Sequence, residues 1–465
     1  MIAMTLREIA DVVSGVLHDV PDADARVTGS AFIDSRQTVP GGLFAALPGE
    51  RTDGHDYACG AVADGAAAVL AARPVGAPAI VVPDVTCALG QLAAHMIARR
   101  PDLTVIGVTG SAGKTGTKDL VGQLLGEASP TVATPGNFNN EIGLPVTVSL
   151  IEPETRFLAL EMGARGIGHI EYLARISSPR VGVVLNVGTA HIGEFGGVEA
   201  IARGKGELVE ALPADGLAIL NADDARVRAM AAHSRGEVTL FGRSPDAAVR
   251  AEQVRIDDAG RPGFLLCTEQ GAVPVSLQLV GEYQVSNALA AAAVAQHAGL
   301  GLERIAAALS TAVPVSRWRM EITERADGIT IVNDAYNANP TAMQAALTAV
   351  AALAGCRRIV AVFGPMLELG RDEEAEHARL GTLAAESGVG VVVAVGDQRA
   401  ATVQEAAKAC GTDAEYAADR AEALRILRSL LEPGDVVLVK ASRAAGLEVL
   451  ADRLLQLAPT AQPNP

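Results

Sequence analysis

The sequence predicts an α/β protein of three domains, a central parallel-sheet domain flanked by an N-terminal α/β domain and a C-terminal Rossmann-like domain. Three observations lead to this class. The chain has 465 residues, and at about 150 residues per domain that length suits roughly three. Short Val/Ile/Leu runs alternate with helical segments through the middle and last parts, as buried parallel strands with crossover helices do. Two composition shifts cut the chain, a polar joint at Ala98–Asp102 and a second at Pro314–Arg319. They place the domains at 1–99, 100–314 and 315–465.

In the middle part the strand runs are Val105–Val108, Phe157–Leu160, Val181–Asn186 and Leu217–Leu220. The last part opens with a short strand at Ile329–Val332 and continues with Arg358–Phe363, Val391–Val395 and Val436–Val439. The last three end in Gly364, Gly396 and Lys440, and strand ends of this kind are where open α/β sheets place ligands. The run Ala288–Ala298 is too short to cross a membrane and carries Gln296 and His297, so it reads as an Ala-rich helix of a soluble core. The tail Ala458–Pro465 reads as frayed.

Composition excludes several functions. The chain holds 38 Lys+Arg against 54 Asp+Glu, a formal charge of −16. Nucleic-acid and anionic-membrane partners both need a basic face, so neither fits. The N-terminus has acidic residues early and no apolar stretch, unlike a secretory signal. Five cysteines with no CxxC pair argue against a disulfide scaffold or zinc site, and the chain reads as cytoplasmic.

The strand Val105–Val108 leads into Thr109-Gly110-Ser111-Ala112-Gly113-Lys114-Thr115, and a helical segment follows over Thr117–Glu127. Backbone N–H groups of such a loop converge on phosphate oxygens, and the helix N-terminus adds partial positive charge. Lys114 would neutralise β/γ-phosphate charge, and the Thr115 hydroxyl would ligate Mg²⁺. The strict pattern GxxxxGK[ST] fails at one position, where Val108 replaces its first Gly. The strand–loop–helix context still predicts a nucleoside triphosphate site over Gly110–Gly116. Glu161 and His191 fall at or beyond the ends of two further strands. If those strands flank the loop strand, a carboxylate and an imidazole meet a cation beside Thr115. Mg²⁺ prefers oxygen ligands, so each residue also reads as an ordinary hydrogen-bonded strand-end group.

At this point four segments resemble the Mur ligases, the ATP-dependent amide-forming enzymes of peptidoglycan precursor synthesis. They are the loop Thr109–Thr115, Gly136–Pro145 (GNFNNEIGLP), Glu161-Met162-Gly163 and Asp334–Pro340 (DAYNANP). Gly364–Gly370 (GPMLELG) and Val439–Glu448 (VKASRAAGLE) further resemble the branch that joins D-alanyl-D-alanine to a UDP-N-acetylmuramoyl tripeptide. The resemblance implies an acyl-phosphate mechanism using ATP and two Mg²⁺ ions, in a cytoplasmic monomer. It implies Mg²⁺ ligation by Thr115, Glu161, His191 and a carbamylated Lys205, with Lys114, His191 and Lys205 in the catalytic set. Asn287, Arg319 and Asp334 are implied at the nucleotide. Ser35, Arg36 and Thr52 are implied at the UDP end of the sugar nucleotide, and Asn139, Asn140, Tyr336, Asn337 and Asn339 at the other substrate portions. Tyr283-Gln284 stands where the family usually has His-Asn. Another Mur-type ligase (third-residue-adding) or a folylpolyglutamate synthetase is the nearer alternative. A P-loop binding or switch protein is the alternative from another class.

Overall fold

The computed structural model describes residues 1–49, 52–188 and 192–457. Among the described residues a two-stranded pair, Met4–Thr5 with Arg26–Val27, accompanies three main sheets. The first is five-stranded, in the order Val16–His18, Ala79–Val81, Ala68–Ala71, Leu43–Ala45 and Ala31–Phe32. All its pairings are parallel except the first.

The central sheet has nine strands. Its parallel body runs Val249–Ile256, Glu237–Gly242, Leu217–Asn221, Val181–Val184, Thr104–Thr109, Phe157–Glu161 and Thr131–Ala133. The loop strand therefore lies between Val181–Val184 and Phe157–Glu161, parallel to both, which is the adjacency the strand-end residues required. An antiparallel hairpin, Pro262–Thr268 and Gly271–Ser276, extends the far edge.

The third sheet has six strands, with Val436–Lys440 between Thr330–Asp334 and Ile359–Phe363. Val391–Val395 and Asp413–Ala417 follow on one side, and Glu321–Glu324 closes the other as an antiparallel edge. These central strands are buried on both faces, so they read as unbroken apolar runs rather than alternating ones.

Helices cover both faces of the two larger sheets. One face of the central sheet packs on Lys114–Gly126, Gln284–His297 and Leu302–Thr311. The opposite face merges with the core of the first domain through the helix Val85–Ala98, in one continuous apolar cluster from Met4 to Met230. The first two domains thus share a core.

Most expected bounds move by one or two residues, and two of the shifts have a plain physical reason. The strand expected over Val181–Asn186 stops at Val184, because Asn186 turns its amide onto the phosphate loop. The helix expected from Thr117 begins at Lys114, since Gly113 adopts φ 83° and reverses the chain directly into it.

Candidate active site

The phosphate loop is held from the neighbouring strand end. Asn186 Oδ1 accepts from the Ala112 N–H at 2.9 Å, and its Nδ2 donates to the Ala112 carbonyl at 3.1 Å. The Gly188 N–H donates to Ser111 Oγ at 2.9 Å. Below the loop, a Cβ at Gly113 would lie 2.5 Å from Asn287 Oδ1, so glycine is required both for the turn and for this approach. Asn287 accepts from Thr117 Oγ1 at 3.2 Å and donates to Gln284 Oε1 at 2.9 Å.

Lys114 folds back over the loop, its Nζ donating to the Gly110 carbonyl at 2.8 Å. Thr115 Oγ1 donates to Glu161 Oε2 at 2.8 Å, while Asn139 Nδ2 donates to Glu161 Oε1 at 2.6 Å. Thr115 and Glu161 are buried, as is Lys205. Among the described residues no hydrogen bond or ion pair engages the Lys205 amine. Burial, then repulsion from Lys114, pushes it well below the ordinary lysine range. Burial also lowers Lys114, with Glu161 opposing and Arg319 adding to the shift.

Residues from beyond the joint complete the site. Arg319 Nη2 donates to Thr115 Oγ1 at 3.1 Å, and its guanidinium lies 4.0 Å from the centroid of the Tyr336 ring. Burial pushes the Tyr336 hydroxyl up to about 12. Asp334 Oδ1 accepts from the Met320 N–H at 3.1 Å, and Oδ2 pairs with Lys440 Nζ at 2.6 Å. Lys440 also donates to the Asn337 carbonyl at 2.9 Å. Lys114 and Arg319 thus flank one carboxylate, Glu161, with the buried amine of Lys205 beside Lys114. The cluster carries excess positive charge inside a chain of net charge −16, and it fits a polyanion.

These groups line one cleft of about 1310 Å³. Family models match this chain in three stretches: "Mur ligase family, catalytic domain" over residues 30–96, "Mur ligase middle domain" over 108–295, and "Mur ligase, glutamate ligase domain" over 318–443. A UDP-N-acetylmuramoyl-tripeptide–D-alanyl-D-alanine ligase of Mycobacterium tuberculosis (strain ATCC 25618 / H37Rv) is 47% identical over 500 residues, covering 98% of each chain. This chain belongs to the Mur ligase family. A crystal structure of MurF from Acinetobacter baumannii superposes with a TM-score of 0.86 at 33% identity, covering 98% of this chain and 99% of that one. MurF ligase from Thermotoga maritima, in complex with ADP, superposes with a TM-score of 0.77 at 28% identity, covering 92% and 97%. Like its relatives, this Mur ligase is an ATP-dependent ligase.

The cleft of this Mur ligase gathers most of the expected residues. Gly110 to Gly116, Glu161, Lys205, Asn287, Arg319 and Asp334 all line it. So do Asn139, Asn140, Tyr336, Asn337 and Asn339. Two of these asparagines also shape the backbone. Asn140 Oδ1 accepts from the Gly143 N–H, and Asn339 caps the helix Pro340–Ala354. Ser35, Arg36 and Thr52 are not among the lining residues. Arg36 is exposed and pairs with Asp34 on the same turn at 2.8 Å. His191 lies outside the described residues.

Several contributors have no role assigned from sequence, Lys440 being noted there only as a strand end. Asn186 braces the loop, Lys440 holds Asp334, and Thr134 Oγ1 accepts from the Glu161 N–H at 3.0 Å. A lysine closing the apolar strand Val436–Lys440 was the available signal for the second. The third domain also touches the second at a backbone contact. A Cβ on Gly193, in the helix Ile192–Phe195, would meet Gly370 Cα and N at 2.9 Å. Gly370 ends the loop whose Leu367, Glu368 and Leu369 face the cleft.

Proposed function

We propose that this Mur ligase joins D-alanyl-D-alanine to the UDP-N-acetylmuramoyl tripeptide, consuming ATP through an acyl phosphate. The observation that carries this reading is the two-sided site, in which Arg319 reaches back across the joint to Thr115 on the phosphate-loop helix. A carboxylate does not react usefully with an amine, because oxide is a poor leaving group. The tripeptide carboxylate takes the γ-phosphoryl group, releasing ADP. The dipeptide amine then attacks the acyl carbon, phosphate departs with the C–O bond's electrons, and the ammonium proton is released.

Within this reading the loop amides and Lys114 hold the phosphates, and Arg319 meets charge on the transferring group. Asn287 braces the loop, while Asp334 and Lys440 fix the third-domain wall. The contacts of Tyr336, Asn337 and Asn339 along that wall suit the dipeptide. Asn139 and Asn140 suit the tripeptide end, and Ser35, Arg36 and Thr52 the UDP end. Closure keeps water from the acyl phosphate.

The donor set suits Mg²⁺. Thr115 Oγ1 and Glu161 Oε2 are hard oxygen donors 2.8 Å apart beside the loop. His191 is proposed to join them. Lys205 fits only after conversion: its neutral amine adds CO₂ to give a carbamate and a proton, which supplies oxygen donors for a second ion. Ions held there would neutralise phosphate charge. We further place the domain boundaries at 1–99, 100–314 and 315–465, in a cytoplasmic monomer. Among the described residues no helix is long and apolar enough to cross a membrane.

The test is substrate dependence. ADP release should require both D-alanyl-D-alanine and a UDP-muramoyl tripeptide carrying diaminopimelate or lysine. Turnover with a single amino acid and the dipeptide precursor would instead reject the assignment.

A further inference from the structure

The segment joining the second and third domains runs along the phosphate-loop helix. Thr115, Asp119 and Gln123 are spaced four apart, so they form one stripe on that helix. Each meets a residue of the joint, in reverse order. Thr115 Oγ1 accepts from Arg319, and Asp119 Oδ2 accepts from the Ser316 N–H at 3.2 Å. Gln123 clasps Val313 twice, accepting from its N–H at 3.0 Å and donating to its carbonyl at 3.1 Å. Lys118, itself buried, pairs with Asp119 and donates to Ser316 Oγ at 3.3 Å.

Apolar packing anchors the two ends of this joint, at Ala312 and Met320, but not the stretch between them. Val313 and Val315 are 55% and 59% exposed. The chain then passes through two left-handed residues without glycine, Trp318 at φ 59° and Met320 at φ 51°, on either side of Arg319. Such conformations persist only where neighbouring contacts fix them. Here the fixing contacts are the polar rungs on the helix, the Trp318 N–H to Glu321 Oε2 at 3.0 Å, and the Met320 N–H to Asp334, together with the stacking of Trp318 between Arg443 and Tyr336 and the burial of Met320.

We propose that the phosphate-loop helix is the rail that sets the register of the joint, with Asp119 and Gln123 as positioning residues for Arg319. The inference rests on the ligase reading above, since Arg319 matters only if it meets the transferring phosphoryl group. Asp119 and Gln123 never touch substrate. They fix where Arg319 stands, and displacement of a charged group by about 1 Å is enough to slow a transfer substantially.

The test uses the full chain with ATP, the tripeptide substrate and D-alanyl-D-alanine. Wild-type turnover checks the ligase reading by itself. Gln123→Ala should lower kcat about tenfold with the KM for ATP within about twofold and the melting temperature nearly unchanged. Asp119→Ala should do the same, and Gln123→Glu, which keeps the acceptor for Val313, should fall between. In an Arg319→Lys background, Gln123→Ala should cost at most about twofold. A wild-type kcat in Gln123→Ala would overturn the proposal. So would a kcat loss matched by loss of folded protein, or equal losses in both backgrounds.

Discussion

Gly193→Ala should slow ligation without disturbing nucleotide binding. The added methyl would lie 2.9 Å from Gly370 Cα and N and 3.2 Å from the Glu368 carbonyl. Ordinary carbon contacts begin near 3.5 Å, so the two backbones must separate by roughly 0.6 Å or more. Neither side can relieve the clash by rotating a side chain, and Gly370 is itself committed to φ 66°. Overpacking of this kind costs about 1–3 kcal/mol, which lowers the closed population roughly 5–150-fold. Neither Gly193 nor Gly370 lines the cleft around the phosphate loop, so the KM for ATP should stay within about twofold. Steady-state assays of ADP and amide product should therefore show a lower kcat. They should also show more ADP per amide bond, as the open site admits water to the acyl phosphate. Gly60→Ala is the control, since a Cβ there meets nothing within 4 Å. A Gly193→Ala enzyme with wild-type kcat and stoichiometry would refute closure through this contact.

Other expectations are sharp enough to fail. Lys205→Ala should lose about hundredfold or more in ligation while still binding ATP. Wild type in CO₂-depleted buffer should regain activity on adding bicarbonate, and indifference to bicarbonate would contradict the carbamate. Lys440→Met leaves the Asp334 carboxylate buried without its cation, where the two side chains are 4% and 11% exposed. Urea unfolding should report a loss of about 3–5 kcal/mol, and a loss below about 1 would contradict the pairing. His377 donates from Nδ1 to the Glu373 carbonyl and accepts from the Met366 N–H at 3.0 Å, and burial holds it below its unfolded value of 6.5. The unfolded chain then binds more protons between those two values, so stability falls as pH drops through that window. His377→Asn should flatten that fall, and parallel pH curves for the two proteins would rule out the linkage.

The strands and the loop were legible because their signals are local. The unbroken apolar run Val391–Val395 matched its observed bounds and the other strand runs fell within about two residues of theirs, and Thr109–Thr115 announced the turn between strand and helix. The hairpin Pro262–Thr268 and Gly271–Ser276 was overlooked. Its outer strand is mostly exposed and carries Pro274, so it lacked the apolar run that marked the others. What sequence could not give was convergence. Periodicity places Thr115 and Arg319 on separate elements 204 residues apart, and only the folded linker brings their side chains to 3.1 Å. The bracing by Asn186 and Lys440 was hidden for a similar reason. An asparagine or lysine closing a strand gives no hint of its partner until the neighbouring strand is known. The net charge of −16 was equally silent about the cationic pair Lys114 and Arg319, because a sum over the chain averages away a local site.

The most direct test of acyl-phosphate ligation follows an oxygen atom. The tripeptide carboxylate is labelled with ¹⁸O, and the inorganic phosphate released with D-alanyl-D-alanine is analysed by mass spectrometry. Transfer of the γ-phosphoryl group to the carboxylate predicts that each phosphate carries one oxygen from the tripeptide. Phosphate free of label, with amide bond formed at the normal rate, would contradict the account.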